Sequence, residues 1–171
     1  METKVTSPLA KAVIIALILI VFNLIIQFMN MLDNKGVGSI GIVILIAGII
    51  WSVVTYAKQL SGNVTFGNAF AHGFKVTAAI TAIMIIYTFI SLKFINPEMR
   101  DIAMEKARAQ LESQGQSDEQ IDKILNMTKK NFVLFAVAGQ LLSTIIIGAI
   151  ASLIGAAVAK KNPQGPFVQQ G

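Results

Sequence analysis

The chain has 171 residues, 54% of them hydrophobic and only 13% charged, with a mean hydropathy of +0.68. Soluble domains carry about 25% charged residues, so this composition excludes an ordinary soluble fold and leaves a polytopic membrane protein. The net charge of +5 is spread along the flanks of apolar runs, which points to anionic lipid headgroups rather than nucleic acid, and the absence of cysteine excludes disulfides, thiolate catalysis and cysteine metal sites.

Four apolar runs, at 12–32, 36–57, 66–95 and 131–159, are each long enough for a helix to cross the hydrocarbon core. A barrel is not expected, because the runs lack the alternation of lipid-facing and lumen-facing residues. Span one begins after Ser7 and Pro8, a cap and a first-turn proline. It is too long for a signal-peptide core and shows no small-residue cleavage site, so it reads as a retained span. A short polar turn, Asp33-Asn34-Lys35-Gly36, makes spans one and two an antiparallel hairpin. Tyr56 beside Lys58 fits an interfacial anchor, and Trp51, two turns deeper, is expected to pack against neighbours.

Thr65 can cap a helix that starts at Phe66, and Phe66, Phe70 and Phe74 then share one face. After span three, Asn96-Pro97-Glu98 reads as a cap, a first helical proline and a dipole-complementing acid. That helix runs to about Glu112, Ser113-Gln114-Gly115-Gln116 breaks it, and Ser117 with Gln120 opens the next with capping-box spacing. Nothing obvious stops this last helix, so it is expected to feed straight into span four. The sequence therefore predicts an all-α fold in one domain, 1–171: an integral membrane four-helix transmembrane bundle. A polar helical hairpin over 96–130 separates spans three and four, and the tail over 162–171 is expected to be disordered.

The two termini and the second loop share one side. They carry Lys4, Lys11, Lys58, Lys75, Lys160 and Lys161 against the single acid Glu2. The other side carries eight basic residues, but Arg100, Lys106, Arg108 and Lys123 lie within the hairpin, away from span ends. The positive-inside rule then places both termini in the cytoplasm, with Lys129 and Lys130 arguing the other way.

Asn23, Gln27 and Asn30 form a polar stripe on span one. Asn23 and Gln140 each lie about 13 Å deep at 1.5 Å per residue, so the two are expected to meet across a helix interface. Helix glue is the favoured reading and a polar path for a solute the other. Gly148, Ala151, Ser152, Gly155 and Ala159, with Ala156, give span four a small-residue face. Packing within the monomer is favoured over a homodimer seam. His72 is the one histidine, has no acid nearby in sequence, and reads as an interfacial or packing residue rather than a metal ligand. Ser52, Ser91, Ser143 and Ser152 lie in spans, but a Ser–His pair would need an unusual geometry. No carboxylate lies in a span, and no hydrolase, metalloprotease or phosphate-loop motif is present, so no cofactor or metal is expected and the protein reads as non-enzymatic.

The run Thr65-Phe66-Gly67-Asn68-Ala69-Phe70-Ala71-His72-Gly73-Phe74-Lys75, with Phe94-Ile95-Asn96-Pro97-Glu98 after span three, resembles the bacterial membrane family of domain-of-unknown-function number 4199. The four-span layout and the polar insertion before the last span agree with it. The resemblance implies a multi-pass inner-membrane protein of this size and implies no activity. Read from the residues alone, Gly67 and Gly73 flatten one side of the helix for another helix or a headgroup, while Phe66, Phe70 and Phe74 anchor the opposite face. The expected role is a scaffold or accessory subunit that binds a partner through the hairpin or the small face of span four. The alternative is a small transporter or lipid-handling protein using Asn23, Gln27, Asn30 and Gln140.

Overall fold

The computed structural model describes residues 5–29, 31 and 35–159. Asn30, residues 32–34 of the first turn and the tail at 162–171 lie outside them. The described residues form six α-helices and no strand: α1 (Pro8–Phe28), α2 (Lys35–Gln59), α3 (Phe66–Ile90), α4 (Met99–Ser113), α5 (Asp118–Lys130) and α6 (Phe132–Val158), with a π-helical turn, Ser91–Ile95, extending α3. Four stretches, Pro8–Phe28, Gly36–Gln59, Phe66–Ile95 and Phe132–Val158, are long and apolar enough to cross a membrane. The protein is a multi-pass membrane protein. Its residues fall into two compact units, one running to Met84 and resuming at Ser143, the other spanning Ile85–Leu142.

In the first unit, local chemistry sets the helix starts. Ser7 Oγ accepts the Ala10 N–H at 3.2 Å with Pro8 in the first turn, and Thr65 Oγ1 accepts the Asn68 N–H at 3.2 Å. Helix α1 starts behind the expected Ser7 cap and ends four residues before the expected close of the span, and Lys11 lies inside the helix. The core is built from Ala12, Ile15, Leu45, Ile49, Val76 and Ile80, and a second cluster gathers around Val53, Ala57, Ala69 and Ala156. Trp51, expected to pack inward, is 48% exposed, so its indole lies on the outer surface of α2.

The small residues of α6 are used within the chain. A Cβ on Gly148 would overlap the Thr77 side chain, and one on Gly155 would lie 3.0 Å from Val53 Cβ. Gly73 faces Ser152 in the same way, at 2.7 Å to its Oγ. These are close backbone approaches, the means by which helices associate where lipid offers no hydrophobic drive. Gly148, Ala151, Ser152, Gly155, Ala156 and Ala159 are all buried against α2 and α3 or in the core.

In the second unit α4 and α5 form the hairpin, turned at Gly115 with φ +74°. Gln120 Oε1 accepts the Ser117 N–H at 3.3 Å, the reciprocal half of the expected capping box. Two expectations are corrected. Glu98, not Asn96, holds the N-cap position of α4. As the residue before a proline, Asn96 is held at φ −136° and ψ 69°, ends the π-turn, and accepts the Met99 N–H, so α4 starts three residues later. Helix α5 does not run into α6, because Asn131 leaves helical geometry and its Nδ2 donates to the Met127 carbonyl at 3.0 Å. The side-chain amide competes with the backbone for the last turn of α5.

Candidate functional site

At the end of the first unit where α1 and α3 begin and α2 ends, three helices bring together a buried polar cluster. Lys11, on the second turn of α1, is 1% exposed. Its Nζ donates to the Ser52 carbonyl at 3.1 Å and lies 5.9 Å from the centre of the Tyr56 ring. Ser52 and Tyr56 share one face of α2 at four-residue spacing. The buried His72 of α3 stacks on Tyr56 with ring centres 4.0 Å apart, and its Nε2 lies 3.2 Å from Ser52 Oγ. Above the cluster, Thr6 and Gln59 exchange two hydrogen bonds. The Thr6 N–H donates to Gln59 Oε1 at 3.1 Å, and Gln59 Nε2 donates to Thr6 Oγ1 at 2.8 Å. A pocket of about 270 Å³ opens here, lined by Thr6, Ser7, Tyr56, Asn68, His72 and Lys75.

The Ser–His pair corrects the sequence expectation: α2 and α3 pack closely enough to bring Ser52 and His72 into hydrogen-bond range. The pair is nonetheless poorly placed for nucleophilic attack. Ser52 is fully buried and absent from the pocket wall, while Lys11 addresses its carbonyl and not its hydroxyl. A nucleophile needs a reacting atom within reach as well as a base. Lys11 makes no ion pair among the described residues, whose ion pairs all lie between residues 100 and 129. No group of three or more His, Cys, Asp or Glu among the described residues could hold a metal ion. The pocket therefore presents amide, hydroxyl and ammonium groups with no acid in its wall among the described residues, and an ammonium buried behind its aromatic wall.

The other sequence candidates fall elsewhere. Gln27 Nε2 donates to Asn23 Oδ1 within α1, and Asn23 lines a crevice of about 210 Å³ with Leu19, Phe22, Ile26, Gly41 and Met84. In the second unit Gln140 Oε1 accepts the Thr88 hydroxyl at 2.7 Å, which ties α6 to α3. Gln140→Leu is expected to lower stability by about 0.6–2 kcal/mol, read by denaturant titration in detergent. Within the motif, Phe70 and Phe74 stack at 5.9 Å on the face shared with Phe66, and Phe66 and Phe74 are exposed. Gly73 seats α6, whereas Gly67 meets only Thr65 Oγ1 at 4.0 Å and leaves open space beside α3.

Sequence reasoning missed the joining of Lys11, Ser52, Tyr56 and His72. Lys11 read as a flank, Tyr56 as an anchor and His72 as isolated. The available signal was the four-residue spacing of Ser52 and Tyr56, two polar groups on one stripe of an apolar span.

Compared with known families, residues 11–161 match the model described as Protein of unknown function (DUF4199). No curated protein and no solved structure matches the chain.

Proposed function

We propose that the chain, which belongs to that DUF4199 family, is a non-enzymatic membrane protein that holds the phosphate of an anionic lipid in the pocket beside His72. The observation that carries this reading is a pocket wall with Lys75, Asn68, Thr6 and Ser7 and, among the described residues, no carboxylate, backed by the buried ammonium of Lys11. Lys75 supplies a point charge and three donors, Asn68 an amide, and Thr6 and Ser7 hydroxyls, a set suited to phosphate oxygens. The pocket lies where candidate spans begin and end, which is headgroup height, and the same end of α3 carries the exposed rings of Phe66 and Phe74 on another face as apolar anchors. In this reading the termini face the cytoplasm of a bacterium, and the lipid belongs to the inner leaflet of its inner membrane. Counted near span ends only, six basic residues on the terminal side against four on the other support that orientation.

The test uses the full chain in discs of phosphatidylcholine with increasing phosphatidylglycerol, read by native mass spectrometry. Lys75→Gln is expected to weaken retention of phosphatidylglycerol about fivefold, the worth of one basic residue near an anionic surface. Equal retention by wild type and variant, or equal binding of phosphatidylcholine, overturns the reading. Turnover of the lipid by the purified protein would replace it with an enzymatic one.

A second reading, an accessory subunit that binds a protein partner, is favoured by the hairpin, because α4 buries none of its residues. A stoichiometric protein recovered with the wild type, and lost when α4 surface residues are reversed in charge, would support it.

A further inference from the structure

The second unit carries a different cluster that neither the family nor the pocket beside His72 accounts for. Arg100 on α4, with Asn126, Met127, Lys129 and Lys130 on α5 and Asn131 in the α5–α6 break, lines a pocket of about 800 Å³. Three cations stand in its wall and no acid does. One carboxylate stands close by: Asp101 lies 3.7 Å from Lys129 and 3.8 Å from Arg100. It holds two of the cations in place and leaves the cluster with a net charge of two. Lys130 has no ion-pair partner among the described residues.

The height of this pocket in the chain is fixed at both ends. Ile95 is the last residue of the third candidate span, and Phe132, two residues after Lys130, is the first of the fourth. Arg100 follows Ile95 by five residues, so the cations sit just beyond the apolar segments. Met127 in the wall is exposed, as are the apolar residues at the adjoining span ends, Phe94, Leu134 and Phe135. Lys93 shows how a cation behaves at this level. Its Nζ lies 5.3 Å from the Phe94 ring centre and 5.9 Å from that of Phe89, an ammonium over aromatic faces at the end of a span. A ligand that satisfies the whole arrangement has a phosphodiester for the cations and hydrocarbon for the apolar side chains.

We infer that the pocket at the base of the α4–α5 hairpin is a second anionic-phospholipid site, with Arg100, Lys129 and Lys130 on the phosphate and Asn126 and Met127 at its edge. Arg100 offers a planar fork to two phosphate oxygens, and the lysines add point charges. The break at Asn131 serves the site by ending α5 at Lys130, so the two lysines occupy a helix end instead of the middle of a continuous helix. No lining residue is common to this pocket and the one beside His72.

The experiment follows hydrogen exchange over residues 118–131 in the full chain, in discs of phosphatidylcholine with and without phosphatidylglycerol, alongside native mass spectrometry of bound lipid. Phosphatidylglycerol is expected to slow exchange in that segment. Arg100→Gln/Lys129→Gln/Lys130→Gln is expected to weaken the effect roughly a hundredfold in lipid concentration, at about fivefold per charge. The charge-conserving Arg100→Lys/Lys129→Arg/Lys130→Arg variant is expected to retain binding, which separates charge from folding. Lys75→Gln should leave exchange over 118–131 unchanged, so failure here and failure of the first site are told apart. The inference is overturned if the triple glutamine variant matches wild type. It is also overturned if inorganic phosphate in pure phosphatidylcholine discs protects the segment as well as the lipid does. Protection by polyglutamate but not by phosphatidylglycerol would give the surface to an acidic protein and end the lipid assignment.

Discussion

Gly148→Ala is expected to destabilise the detergent-solubilised protein by about 1–3 kcal/mol, the usual range for overpacking. One methyl group is enough because Thr77 fills the space a Cβ would take. Even Thr77 Cβ, which cannot move without its helix, would lie 2.9 Å away. The Thr77 hydroxyl is also engaged, donating to the Gly73 carbonyl at 3.0 Å, so rotating it away breaks a bond. The added methyl must therefore push α6 off α3, and Ser152 would lose its seat against Gly73 as well. Thr77→Ala in the same chain removes two of the three obstructing atoms and is expected to recover at least half of the loss. Thermal unfolding of the two variants and the double variant measures this. A Gly148→Ala protein within 0.5 kcal/mol of wild type would mean that α6 does not lie against α3 as described.

The second large effect separates stability from binding. Lys11→Met is expected to leave stability unchanged or raised, while weakening retention of anionic lipid in the pocket beside His72. A buried cation is costly unless fully compensated. Here the compensation is one carbonyl at 3.1 Å and an aromatic ring at 5.9 Å. Methionine keeps the stem of the side chain and removes the charge, and such replacements of buried charge by apolar groups are often neutral or stabilising. A phosphate on the far side of the Tyr56 ring would lie about 10 Å from the ammonium. At an effective dielectric of about 20 that attraction is about 1.7 kcal/mol, or roughly fifteenfold in affinity. Lower stability with unchanged lipid binding would make Lys11 a packing residue and remove it from the site.

Much of the architecture could be read from local chemistry. Ser7, Thr65 and Gly115 act on backbone groups a few residues away, so helix starts and the hairpin turn are written in short stretches of chain. The small residues of α6 were legible too, since their four-residue spacing marks one face whatever that face meets. What they meet was not legible, and the structure gives the answer in Thr77, Val53 and Gly73. The polar cluster was harder still. Lys11, Ser52 and His72 are separated by 41 and 20 positions, and their meeting depends on how far each helix is rotated about its own axis. No capping or spacing rule fixes that rotation. It follows from packing the apolar faces of α1, α2 and α3 together. The misplaced start of α4 has a more local cause: the restriction that a proline puts on its predecessor outweighed the capping preference of Asn96.

The paired hydrogen bonds between Thr6 and Gln59 have a practical consequence for handling the protein. They moor the segment leading into α1 to the far end of a different helix, so that segment forms one bank of the pocket's mouth. A bulky fusion ahead of Val5 would pull directly on that mooring, and purification handles are better attached away from it.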